Sequence, residues 1–248
     1  MQEWGSQLSG ERGQSAHVYL TGRGTVVVQG AKVEASRSTT DLPSGVECVE
    51  IPLDVWIAAN DQFLASELTA EAFDEEFDRF TRTAFRLETR QDYAGATGPR
   101  YDYWRRGEPM PERSPRTSPW LARVAATTSA GKRWQRAHVV DQPLSKYMRY
   151  EMVVYAENVA AGEDVRIVDR TAHPTLSLLT EDFWLFDADD STGQEHAVFL
   201  EFDDGGYPIR YERTSSSARL LVCSWQRDLV WSLAVPLAEF LAGHDEHL

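Results

Sequence analysis

The chain is poor in cysteine and lysine and has no long apolar run. Cys48 and Cys223 are the only cysteines in 248 residues, and they form no CxxC pair. That excludes a disulfide framework and zinc-finger spacing, and two reduced thiols are expected. No stretch approaches the ~18 consecutive apolar residues of a membrane span. The opening MQEWGSQLSGERGQS has neither the basic start nor the apolar centre of a secretory signal, so a cytoplasmic location is expected. The six histidines are scattered, with no HxH or HExxH pair, and there is no GxSxG elbow. Gly22-Arg-Gly24 lacks the third glycine of a dinucleotide fingerprint. These absences leave no catalytic residue to assign and no metal or cofactor to expect.

Hydrophobic residues make up 42% and aromatics 11%, which suits a packed globular domain. The net charge of -14 argues against a general nucleic-acid binder, and direct binding of nucleic acid is not expected. The charge is also segregated. Residues 78–150 hold 15 basic and 7 acidic side chains, a net of +8, whereas residues 151–248 hold 6 and 19, a net of -13. Either the basic middle packs on the acidic C-terminal part, or it is left open for an anionic partner. Lysine occurs only at positions 32, 132 and 146, so the basic groups are almost all planar guanidiniums suited to carboxylate or phosphate.

The pattern predicts an α+β protein in two parts. Residues 1–68 read as a mobile tail followed by a small β-rich appendage, with HVYL, TVVVQ and VECVEIPL as strands and DVWIAANDQFLASEL starting a helix. Residues 69–248 read as the main domain. Thr69 caps a helix carrying Phe73, Phe77 and Phe80, and Ser118-Pro119 starts another that Gly131 ends. WQRAHVV, the helix PLSKYMRYEMVVYAENV and DVRIV form a β-α-β unit with parallel strands. AVFLEF and YPIRYE form an antiparallel hairpin, and SSSARLLVCSWQRDLVWSLA is a long C-terminal helix that Pro236 breaks.

DFWLFD, residues 182–187, is apolar on both faces, as a central strand would be, with Asp182 and Asp187 at its ends. Asp187, Asp189 and Ser191 open like a calcium loop, but Thr192 stands where glycine is required and Val198 where a bidentate glutamate should be. Ser129-Ala-Gly-Lys132 matches SxxK without its partner motifs. The richer constellation is ionic. In FRLETR, Arg86, Glu88 and Arg90 share one face of a strand; Arg133, Gln135 and His138 lie on or beside the next. Arg149 and Glu151 follow on a helix, and Arg166 on a third strand. The candidate ligand-binding set is Arg86, Glu88, Arg149, Glu151, Arg166 and Asp187. It reads either as salt bridges knitting a sheet or as an arginine-rich pocket for a small anionic ligand.

FDRFTRTAFRLETRQDY (77–93), NVAAGEDVRIV (158–168), DFWLFD and AVPLAEFL (234–241) resemble an uncharacterised actinobacterial family known only as a domain of unknown function. Its members often occur beside helix-turn-helix regulators, which implies a regulatory setting and a protein partner, with such a regulator as the candidate. The order of the C-terminal segments also resembles degenerate phospholipase-D-like domains. From His173, however, Thr175 and Thr180 stand where HxKxxxxD needs lysine and aspartate, so the resemblance implies lost catalysis. The function expected is a non-catalytic regulatory or binding module for a partner protein or a small anionic ligand. The alternative is a hydrolase or phosphodiesterase working through the arginine/carboxylate pocket. An exposed apolar patch rimmed by charge around Trp104–Trp120 would favour the module, and a closed pocket where a carboxylate or histidine of shifted pKa meets arginine donors would favour the enzyme.

Overall fold

The computed structural model describes strand backbone within residues 4–52 and, in full, residues 65–93, 98–188 and 194–243. Strands β1 (Trp4–Ser9), β2 (Ser15–Leu20), β3 (Thr25–Ala31) and β4 (Val46–Pro52) form an antiparallel sheet in sequence order. β1 falls in the segment expected as tail; its backbone pairs with β2 from Trp4↔Leu20 to Ser9↔Ser15.

The second sheet has eight strands. In chain order they are β5 (Ala65–Leu68), β6 (Thr83–Glu88), β7 (Arg133–Val140), β8 (Glu163–Asp169), β9 (Asp182–Phe186), β10 (His196–Phe202), β11 (Pro208–Thr214) and β12 (Val235–Pro236). Their spatial order is β12-β8-β7-β6-β9-β10-β11-β5. β6, β7 and β8 are parallel, and every other pairing is antiparallel. The parallel β-α-β unit, the β10–β11 hairpin and the long C-terminal helix are all present. One expectation is corrected: ASEL, expected to end a helix, is edge strand β5 on β11. The rest of that helix, residues 53–64, lies outside the described residues.

Six helices cover the sheet among the described residues: α1 (Ala70–Arg79), α2 (Pro99–Arg105), α3 (Pro119–Ser129), α4 (Lys146–Ala161), α5 (Ser217–Leu233) and α6 (Leu237–Ala242). Their ends follow local chemistry. Thr69, Ser118 and Ser145 accept a hydrogen bond from a first-turn N–H of α1, α3 and α4. Gly162 ends α4 at φ +111°, and a Cβ there would come within 2.9 Å of Thr128 on α3, so glycine serves both the left-handed cap and the close approach of two helices.

The period of two sorts the side chains onto two faces. Phe85, Leu87, Ala137, Val139, Phe183 and Leu185 pack with α5. The opposite face carries an aromatic core at one end, where Phe77 meets Trp134, Trp184 and Phe186. Under α4 it carries a second core around Met148, Met152, Val165 and Ile167. Between those two apolar regions lies the polar floor.

Candidate functional site

Arg86 and Glu88 of β6, Arg136 and His138 of β7, and Asp182 of β9 all project from the sheet face under α4, and all are buried. From above, α4 contributes Tyr147, Glu151, Tyr155 and Asn158, a stripe at helical spacing, likewise buried. Ions at this depth persist only when paired. Arg136 Nη1 donates to Glu88 Oε1 at 2.8 Å, and its Nε donates to Glu163 Oε1 at 2.8 Å. Arg86 Nη2 donates to Asp182 Oδ2 at 2.8 Å, and Asp182 Oδ1 accepts from Thr89 N and Oγ1. The hydroxyl of Tyr93 also donates to Asp182. Asn158 Nδ2 donates to Glu163 Oε2 at 2.7 Å.

The field of the site separates two carboxyls. Burial alone would push Glu88 up, but the guanidiniums of Arg136 and Arg86 outweigh it and hold Glu88 well below the usual carboxylate range. Glu151 accepts one hydrogen bond, from Tyr147 Oη at 2.6 Å, and forms no ion pair among the described residues. Burial pushes its pKa up to about 7, with the nearby charge of Glu88 adding to the effect. His138 is held below its ordinary value, again by burial first.

A cleft of about 420 Å3 opens on this network. Arg86, Glu88, Arg136 and Glu151 line it together with Tyr93, Tyr147, Tyr150, Val154, Trp184, Leu200 and Phe202. Its volume lies within the range of clefts that take small molecules.

The cleft gathers three of the six candidate residues: Arg86, Glu88 and Glu151. Arg149, two positions from Glu151, is exposed and reaches only the carbonyl of Leu144, at 3.4 Å. Arg166 lies on the α5 face, its guanidinium 4.2 Å from the Trp231 ring centre. Asp187 sits just beyond β9 at φ 53° and accepts from the backbone N–H groups of Thr81, Arg82 and Thr83. Those bonds tie the start of β6 to the end of β9 and hold the Asp187 carboxyl below its ordinary range against burial. The first position of the incomplete calcium-loop pattern is therefore a backbone clamp, and among the described residues no group of three or more His, Cys, Asp or Glu could hold a metal ion.

Sequence reasoning missed Arg136, Tyr93, Tyr147, Tyr155 and Glu163. Strict alternation in WQRAHVV puts Trp134, Arg136 and His138 on one face and Gln135 on the other, so the signal for Arg136 was present. Part of the basic middle segment pairs with the acidic C-terminal part: Arg86 with Asp182, Arg136 with Glu163, and Arg100 and Arg113 with Glu157. Trp104 packs against Tyr150, and Trp120 against Phe77 and Trp134, so these two rings are half-buried in the cores rather than set out on an open patch. No described helix is long and apolar enough to cross a membrane.

A family model described as a domain of unknown function (DUF6879) matches residues 71–242, and the chain belongs to that family. A search of curated proteins finds no match. The matched span contains β6 to β12 and with them every residue of the network and cleft.

Proposed function

We propose that this DUF6879 protein is a non-catalytic binding module that takes a small molecule in the cleft beneath α4. The observation that carries the reading is Glu151: a carboxylate only 8% exposed, without a cationic partner among the described residues, on the wall of a cleft of about 420 Å3. A buried carboxylate left unpaired is costly, and a ligand that pairs with it offsets the cost. In the regulatory setting implied by the family resemblance, occupancy would be passed to a partner protein, a helix-turn-helix regulator being the candidate. Tyr150 supports such a route, because it lines the cleft and packs on Tyr101 and Trp104 of α2.

Native mass spectrometry of the gently isolated full chain tests this. A small molecule should be retained, and a Val154→Trp variant, whose ring would fill the cleft, should lose it. Retention of the same mass by the variant would put the ligand elsewhere.

The hydrolase reading has one observation in its favour, the opposed ionisation of Glu88 and Glu151 in one cleft. It expects turnover of a chromogenic phosphodiester that falls as pH rises through about 7 and is lost in Glu151→Gln. No turnover across that range defeats it.

A further inference from the structure

We propose that the ligand of this cleft is a cationic amine, its ammonium seated against Glu151 and its apolar part held by Tyr93, Tyr147, Tyr150, Trp184 and Phe202. This rests on the reading of the cleft as a ligand site and names the ligand's class.

The network holds two guanidiniums, Arg86 and Arg136, against four carboxyls, Glu88, Asp182, Glu163 and Glu151. Glu88, Asp182 and Glu163 take both guanidiniums. Glu151 is the one left over, met among the described residues only by the Tyr147 hydroxyl, with Arg136 and Arg113 acting on it from farther away. Because its pKa lies near neutrality, a cation entering the cleft draws out the ionised form and gains a desolvated partner.

Five aromatic side chains line the cleft, and Tyr93 stands 6.3 Å from Tyr147 and 5.2 Å from Phe202, centre to centre. Aromatic faces attract ammonium groups, and a desolvated carboxylate among them adds a charge-assisted hydrogen bond.

Among the described residues the only guanidinium nitrogen of Arg86 without an acceptor is Nη1, and it is fully enclosed. The Arg86 guanidinium lies 5.9 Å from the Trp184 ring centre, so that ring helps enclose it. A phosphate or carboxylate in the cleft would face Glu88 and Glu151, and both guanidiniums of the lining, Arg86 and Arg136, are already paired with carboxyls. The arginine-rich pocket expected from the sequence is a cleft lined by two guanidiniums and two carboxyls, within a network where the carboxyls are in excess.

Calorimetric titration of the full chain at neutral pH with benzylammonium, tetramethylammonium, benzyl alcohol, benzoate and inorganic phosphate tests the proposal. Benzylammonium should bind, with tetramethylammonium weaker, and Glu151→Gln should weaken benzylammonium about tenfold or more. Should that variant fail to fold, Val154→Trp takes its place and should abolish the binding. Binding of benzoate or phosphate without benzylammonium overturns the amine class and leaves the cleft a ligand site. Equal binding of benzyl alcohol and benzylammonium, or unchanged affinity in a folded Glu151→Gln, overturns the role of Glu151. Silence of all five probes overturns both the class and the reading of the cleft.

Discussion

Tyr155 and Glu88, 67 residues apart in sequence, are joined by a hydrogen bond of 2.7 Å from the tyrosine Oη to carboxylate Oε2. The same Oη lies 2.7 Å from His138 Nδ1, and His138 Nε2 lies 2.7 Å from the Arg90 carbonyl oxygen. A carbonyl only accepts, so Nε2 carries a proton. In the neutral ring Nδ1 must then accept from Tyr155, which takes away the proton needed for the bond to Glu88. An imidazolium satisfies all three contacts, while burial favours the neutral ring. Glu88, Tyr155 and His138 therefore act as one coupled unit.

Tyr155→Phe removes the shared hydroxyl and leaves Glu88 Oε2 and His138 Nδ1 facing a ring. The expected loss is about 2 kcal/mol, read as a lower urea midpoint at unchanged slope. A stability equal to the parent would mean that water replaces the hydroxyl and that the unit is not closed.

Arg136→Met strips a guanidinium shared by Glu88 and Glu163, leaving two buried carboxyls. Breaking a buried ion network from one side should cost about 4 kcal/mol by chemical denaturation. Arg149→Ala, on the exposed side of the same helix as Glu151, should change stability by less than about 0.5 kcal/mol and leave ligand binding intact. If the two variants behaved alike, the division between the buried and exposed arginines would fail.

Glu151 should make stability fall with rising pH. Its folded pKa is about 7 against an ordinary 4.5, so its contribution is complete below 4.5. Between those values the unfolded chain ionises while the folded chain keeps its proton, and about 3 kcal/mol is lost by the upper end. His138, depressed by burial, works in the opposite sense as pH drops below its unfolded value of 6.5. Comparing Glu151→Gln with the parent at pH 5 and 8 isolates the carboxyl: the variant should lack the decline. An equal decline in both would assign it to another group.

Asp187 separates clamping from binding. Asp187→Ala should cost about 2 kcal/mol, because three backbone N–H groups lose a charged acceptor and alanine tolerates φ 53° poorly. Asp187→Asn keeps an oxygen and the backbone preference and should retain most of that stability. Neither should alter affinity at the cleft in the folded protein; a selective loss of binding would move Asp187 into the site.

Much of the architecture could be read in particular residues. Alternation in FRLETR placed Arg86 and Glu88 on one face, and Ser118-Pro119 and Gly131 marked both ends of α3. ASEL was misread because four residues of mixed character carry no period of their own; the pairing of Ser66 with Arg213 and Glu67 with Glu212 on β11 makes them a strand. Spacing alone also showed that Arg149 and Glu151 point apart on a helix, without saying which one turns inward.

The sequence by itself determined the α+β class, the parallel unit, the hairpin and the long C-terminal helix, because local periodicity and capping act within a few residues. Tertiary structure decided the site. Asp182 meets Arg86 across 96 residues, and Tyr155 meets Glu88 across 67. Which carboxyl each guanidinium takes depends on strand order and on the face α4 covers. The remainder, an unpaired Glu151 among aromatic rings, exists only after the other partners have been assigned in three dimensions.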